Sequence, residues 1–176
     1  MTEFSNLKFV SVGQALIKYD LRQHRHKDFT EILNIIKSAD VSFTNLETSI
    51  KSEIGGWPTK SAYYVGSEPL VLDVLKWMGF NLLSLANNHS FDCGSFGVLS
   101  TIKEVKERSF AYAGTGTSLE DAGAPGYLET PKGRIALISM ASGALPENAF
   151  ATSRCIKVDA PGGVPKIRTW DQPLKG

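Results

Sequence analysis

Apolar positions along this chain switch between two spacings, and the switches mark out strands and helices in alternation. Residues 8–17, KFVSVGQALI, form an apolar run that predicts a first strand running out at Gly13. After the polar stretch RQHRHK at 22–27, the segment 28–39 places Phe29, Ile32, Leu33 and Ile36 at i, i+3, i+4 and i+7, the spacing of one buried helix face. Asp28, with Glu31 three residues later, predicts a capping box at its start. VSFTNLE at 41–47 predicts a second strand ending near Asn45. Residues 51–66 are punctuated by Gly and Pro, with a short strand expected at Ala62–Val65.

A helix is predicted from about Glu68 to Met78, with Ser67 as its cap, Pro69 in its first turn and Gly79 as its stop. Leu82 to Ala86 reads as a short buried strand. Val98, Leu99, Ile102 and Val105 mark a helix ending near Arg108, and Tyr112-Ala113 a brief strand. Thr117 and Glu120 can cap a short helix in TSLEDAG. Tyr127–Glu129 and Arg134–Met140 predict a hairpin around Pro131-Lys132-Gly133. Alternating strands and helices make the fold class α/β. The expected organisation is one domain portion over 1–142, followed by a Gly/Pro-rich loop or truncated continuation over 143–176.

Composition narrows the function classes. The 176 residues carry a net charge of +1, which gives no electrostatic case for a nucleic-acid partner. A hydrophobic share of 42% supports a packed core. Cys93 and Cys155 form no CxxC, so neither a disulfide framework nor a thiolate zinc site is expected. No apolar run approaches the length of a membrane-spanning helix, and the N-terminal residues lack a signal-peptide pattern. A cytoplasmic chain with no membrane segment is the expectation.

Chemistry-bearing residues collect at three strand ends: Gly13-Gln14, Asn45-Leu46-Glu47 and Asn88-His89. Ligands of α/β sheets gather beyond the carboxyl ends of strands. In SLANNHSFDCG at 84–94, an Asn carbonyl can ligate a cation. A neighbouring His can protonate a leaving oxygen, and Asp92 can orient that His. The competing reading is a turn in which Asn88 and Asp92 bond the backbone. Glu47 can ligate or bridge metals, or stand as a loop carboxylate. Weaker signals are RQHRHK as an anion-facing patch or a solvated helix approach, and Gly114-Thr115-Gly116-Thr117 as an anion nest or a plain turn. Cys93 is a nucleophile only if its pKa is lowered. Trp77 reads as a core residue.

Four segments carry a family resemblance. ADVSFTNLETSI at 39–50, GFNLLSLANNHSFDCG at 79–94, YAGTGTSLEDAGAP at 112–125 and RIALISMAS at 134–142 resemble, in order and spacing, segments of the CapA-type poly-γ-glutamate capsule proteins. These are relatives of the calcineurin-like metallophosphatases. The resemblance implies a β-sandwich flanked by helices, incomplete in this chain, with a two-metal phosphoesterase-like site at strand ends. Carried over by position, Glu47 and Asn88 would be ligands of a divalent metal (Mn, Zn or Fe). His89 would be the general acid and Asp92 its partner. Apart from that carry-over, Gln14, as a hydrogen-bond donor, and Asn45 are the candidate substrate-binding residues, the substrate being a phosphoester or an anionic glutamate-containing polymer. Family members are often membrane-anchored or exported. The family usually has Gly-Asp where this chain has Gly13-Gln14, and no histidine follows His89. A neutral amide is a poor partner for a divalent ion. A metal-independent proton-transfer enzyme and a non-catalytic subunit of capsule-polymer synthesis therefore stand beside the hydrolase.

Overall fold

β-Branched and aromatic residues open the second strand and leucines fill the third, and the two become the centre of a four-stranded parallel sheet. The computed structural model describes residues 6–51, 66–142 and 149–151. β1 (Phe9–Ala15), β2 (Val41–Leu46), β3 (Leu82–Ser84) and β4 (Ala111–Ala113) lie in the order of the chain. Each parallel step is made by a helix: α1 (Lys27–Lys37), α2 (Leu70–Met78) and α3 (Gly94–Glu107). A short α4 (Leu119–Gly123) leads into an antiparallel hairpin, β5 (Gly126–Thr130) and β6 (Gly133–Leu137). The class is α/β, with a parallel sheet flanked by helices. The expected strand Ala62–Val65 and most of 143–176 lie outside the described residues, as do Cys155 and the other two tryptophans.

One apolar cluster joins the three crossover helices to the sheet. Leu33 and Ile36 of α1, Val71, Leu72, Val74 and Leu75 of α2 and Val105 of α3 pack with Leu46, Leu83 and Leu85. Alternation along β2 therefore points Leu46 to the helices and Asn45 to the opposite face. Ser42 confirms the parity, because its hydroxyl donates to the Ile36 carbonyl at 2.7 Å. Trp77 packs against this cluster at its margin, with the Lys37 ammonium 4.6 Å from its ring centre.

Helix ends differ from the sequence reading in three places. α1 begins before Asp28, with His26 as the preceding residue and no side-chain cap. Asp28 thus sits in the first turn, where its charge meets the positive end of the helix dipole. Ile32, expected in the buried face, is 52% exposed, because α1 covers the edge strand β1 along a narrow row of Phe29, Leu33 and Ile36. Ser67 does not cap α2: it bridges to Ile50, and its hydroxyl donates to the Ile17 carbonyl at 3.1 Å. α4 is capped by Ser118, whose hydroxyl accepts from Asp121 N–H, one residue along from the Thr117–Glu120 pairing expected. Gly79 does end α2, with φ of +104°, and Phe80 N–H then reaches back to the Leu75 carbonyl at 3.1 Å.

β1 runs past Gly13 to Ala15 by way of a bulge. Ser11 pairs with Phe43, but the next pair is Gln14 with Asn45, so two residues of β1 oppose Thr44 alone. The Thr44 hydroxyl takes the Gly13 carbonyl at 2.8 Å. The extra residue shifts Gln14 into the row of Asn45 and Ser84 at the carboxyl end of the sheet. Beyond β6, Ser139 reaches the same row, its hydroxyl 2.7 Å from that of Ser84.

Candidate active site

The end of β2 and the turn after β3 are tied together by side-chain amides. Asn45 Nδ2 donates to Glu47 Oε2 at 2.8 Å, so the carboxylate is anchored although only 5% of the residue is exposed. Asn45 Oδ1 accepts from Asn87 Nδ2 at 3.0 Å, and the same Nδ2 donates to the Leu46 carbonyl at 2.9 Å. Asn87 Oδ1 accepts from His89 N–H at 3.0 Å. His89 Nδ1 lies 2.6 Å from Asp92 Oδ2, with 12% and 3% of the two side chains exposed. Glu47, Asn45, Asn87, His89 and Asp92 are therefore one connected chain of hydrogen bonds across two strand ends.

The turn is held from both sides. Ser90 N–H and hydroxyl both donate to the Asn87 carbonyl, at 3.2 and 2.6 Å. From the β2 side, the buried Ser49 hydroxyl lies 3.0 Å from the His89 carbonyl and 3.1 Å from that of Ser90. Asp92 N–H returns to the His89 carbonyl at 3.3 Å, which brings the carboxylate back onto the imidazole. In the tautomer that carries its proton on Nδ1, the ring donates to Asp92 Oδ2, and the carboxylate fixes the orientation of the imidazole. The arrangement suits general acid–base work.

Gln14 and Asn88 lie at the rim. Gln14 is in register with Asn45 on the neighbouring strand and is exposed. Asn88 is exposed in the turn between Asn87 and His89. Cys93 is buried, and burial pushes its thiol up, away from the thiolate that a nucleophile needs. A cavity of about 270 Å³ lies elsewhere, between β4, α4 and β5, lined by Tyr112, Thr115, Asp121 and Tyr127, and no side chain of the amide-linked chain borders it.

Two divalent ions need several charged oxygens within reach of one another. Among the described residues no group of three His, Cys, Asp or Glu side chains converges in that way. Glu47 brings one carboxylate, and Gln14 and Asn88 bring neutral amides. These donors do not by themselves fit a two-metal centre.

Asn87 and Ser49 had no role assigned from the sequence. The only signal for Asn87 was its place beside Asn88, and nothing in a dipeptide of two amides says which one turns inward.

Comparison with known proteins places these residues in a family. The family described as Bacterial capsule synthesis protein PGA_cap matches residues 8–168. An uncharacterized protein of Sinorhizobium fredii, y4sH, is 38% identical over 147 residues, which are 78% of this chain and 31% of that protein. A capsule biosynthesis protein CapA of Bacillus anthracis is 36% identical over 58 residues, 33% of this chain and 14% of the relative. A PGA biosynthesis protein CapA of Bacillus subtilis is 25% identical over 113 residues, 64% of this chain and 30% of the relative. The chain spans less than a third of the length of these curated relatives.

Proposed function

The chain belongs to the bacterial capsule synthesis protein family PGA_cap, and from that premise we propose that it carries the acid–base half of a hydrolytic site for an anionic substrate. The substrate class is a phosphoester or a glutamate-containing capsule polymer. The observation that carries the reading is the part-buried His89–Asp92 pair at 2.6 Å, fixed to Glu47 through Asn87 and Asn45. His89 donates its Nε2 proton to the leaving oxygen as the scissile bond breaks, and Asp92 holds the ring in orientation. Gln14 and Asn45 stand on the substrate side of the sheet, with Gln14 offering an exposed amide. Glu47 and Asn88 are the donors this chain offers to a divalent ion such as Mn²⁺, Zn²⁺ or Fe²⁺, which would supply Lewis acidity when bound.

A metal-independent version of the same site is the second reading, suggested by the neutral amide of Gln14 at the end of β1. Elemental analysis after equilibration with Mn²⁺ or Zn²⁺, run beside hydrolysis assays on phenyl phosphate and poly-γ-glutamate, separates the two. Bound metal that is lost with activity in Glu47→Ala supports the metal-dependent hydrolase. Turnover that survives chelation supports the metal-independent one. A folded protein that hydrolyses neither substrate, with or without metal, would sink both and leave a non-catalytic role in capsule synthesis.

A further inference from the structure

We propose that Asn87 is the positioning residue of this site, setting His89 against Glu47 without itself touching the substrate; the inference rests on the hydrolase reading above. Its amide is buried and makes three directed hydrogen bonds. Both amide hydrogens point at β2: one meets the Leu46 carbonyl at 2.9 Å and the other Asn45 Oδ1 at 3.0 Å. A carbonyl can only accept, so the nitrogen of Asn87 must face Leu46 and the oxygen must face the other way. There it meets a donor, His89 N–H, at 3.0 Å. The orientation of the amide is thus fixed by its partners.

This wiring places Asn87 between the two functional groups. On one side, Asn45 passes the contact on to Glu47 Oε2. On the other, the His89 backbone is held at the point where the ring leaves it, and Asp92 takes the ring from there. Glu47 follows β2, and His89 follows β3. Strand pairing aligns Asn45 with Ser84 and stops there. Beyond that point among the described residues, the Asn87 amide and the Ser49 hydroxyl link the two segments by side-chain hydrogen bonds. Ser49 bonds the carbonyls of His89 and Ser90; of these two links, that of Asn87 also reaches Glu47 through its partner. Misplacing a catalytic group by about 1 Å costs about 10²-fold in rate.

The test uses the intact protein and steady-state hydrolysis of phenyl phosphate. Asn87→Asp keeps the shape but sets carboxylate oxygens against two acceptors, and Asn87→Ser shortens the link. Both are expected to lower kcat by about 10- to 100-fold with KM within about twofold, and to retain a cooperative thermal melt. In a His89→Ala background the same substitutions are expected to change the residual rate by less than about twofold, because a residue acting through His89 has nothing left to position. Equal losses in both backgrounds, a loss confined to KM, or failure of both variants to fold would overturn the proposal. If the unaltered protein turns over no substrate, the hydrolase reading falls separately. A crystal structure of Asn87→Ser then decides the positioning claim: a shifted His89 ring relative to Glu47 upholds it, and unchanged geometry overturns it.

Discussion

At the scale of single residues, chemistry is set by which polar groups are buried together. His89 and Asp92 are three apart in the turn, yet pairing them needs the Asp92 N–H to fold back onto the His89 carbonyl. That return brings the carboxylate to Nδ1, and the proposed acid role falls to Nε2. The leaving group therefore tests the role. Phenolate leaves poorly and needs a proton, whereas p-nitrophenolate departs largely unaided. His89→Ala is expected to slow phenyl phosphate hydrolysis by about 10²- to 10⁴-fold and p-nitrophenyl phosphate hydrolysis much less. Equal losses on the two esters would remove His89 from the acid role. Asn88 and Asp92 were legible as candidates because the strand runs straight into them. Asn87 was not, since its role depends on what β2 presents to it.

At the scale of elements, one backbone irregularity shapes the site and another ends a helix. The bulge in β1 moves Gln14 into the row of Asn45; regular pairing from Ser11 onwards would have put Gly13 there. No residue pattern in KFVSVGQALI announces the bulge, because Val12 and Gly13 are compatible with a regular strand. The stop of α2 was legible, because glycine is the residue that adopts a positive φ with little strain. At Gly79, with φ of +104°, an added Cβ would stand 3.0 Å from Lys37 Cγ on α1. Gly79→Ala is expected to destabilise the protein by about 1–2 kcal/mol, read as a lower urea midpoint with an unchanged slope. An unaltered midpoint would mean that the turn relaxes freely.

At the scale of the whole molecule, long-range polar links fasten the hairpin to the sheet. Asp40, just before β2, accepts Lys8 N–H at 2.7 Å and the Lys132 ammonium at 2.9 Å from the β5–β6 turn. The Lys8 N–H first, and then the Lys132 ammonium, hold its carboxyl below the ordinary value of 3.8. A depressed folded pKa means that the contribution is present above the unfolded value and fades as the pH falls through the folded one. Stability of the wild type should therefore drop more steeply below about pH 4 than that of Asp40→Asn, in urea titrations at stepped pH. Parallel slopes would show that the link contributes nothing. In the core, Leu83 is fully buried beneath the helices, and Leu83→Ala should cost about 2–5 kcal/mol of unfolding free energy. A loss below 1 kcal/mol in equilibrium unfolding would show that the site collapses around the smaller side chain.

The sequence by itself determined the α/β alternation and the three strand ends at which polar residues collect. Those follow from hydrophobic period and from punctuation by Gly and Pro, which are local properties of the chain. It also pointed to the family, through Asn-Leu-Glu and Asn-Asn-His in order. Only the tertiary structure decided that β1 bulges to align Gln14, that α1 presents Ile32 outward, and that Asn87 joins Glu47 to His89. Each of those depends on a partner more than 25 residues away, or on the side of the sheet left for a helix to cover. Local spacing carries no record of such partners, because the same dipeptide or strand pattern accommodates either outcome until the second segment arrives.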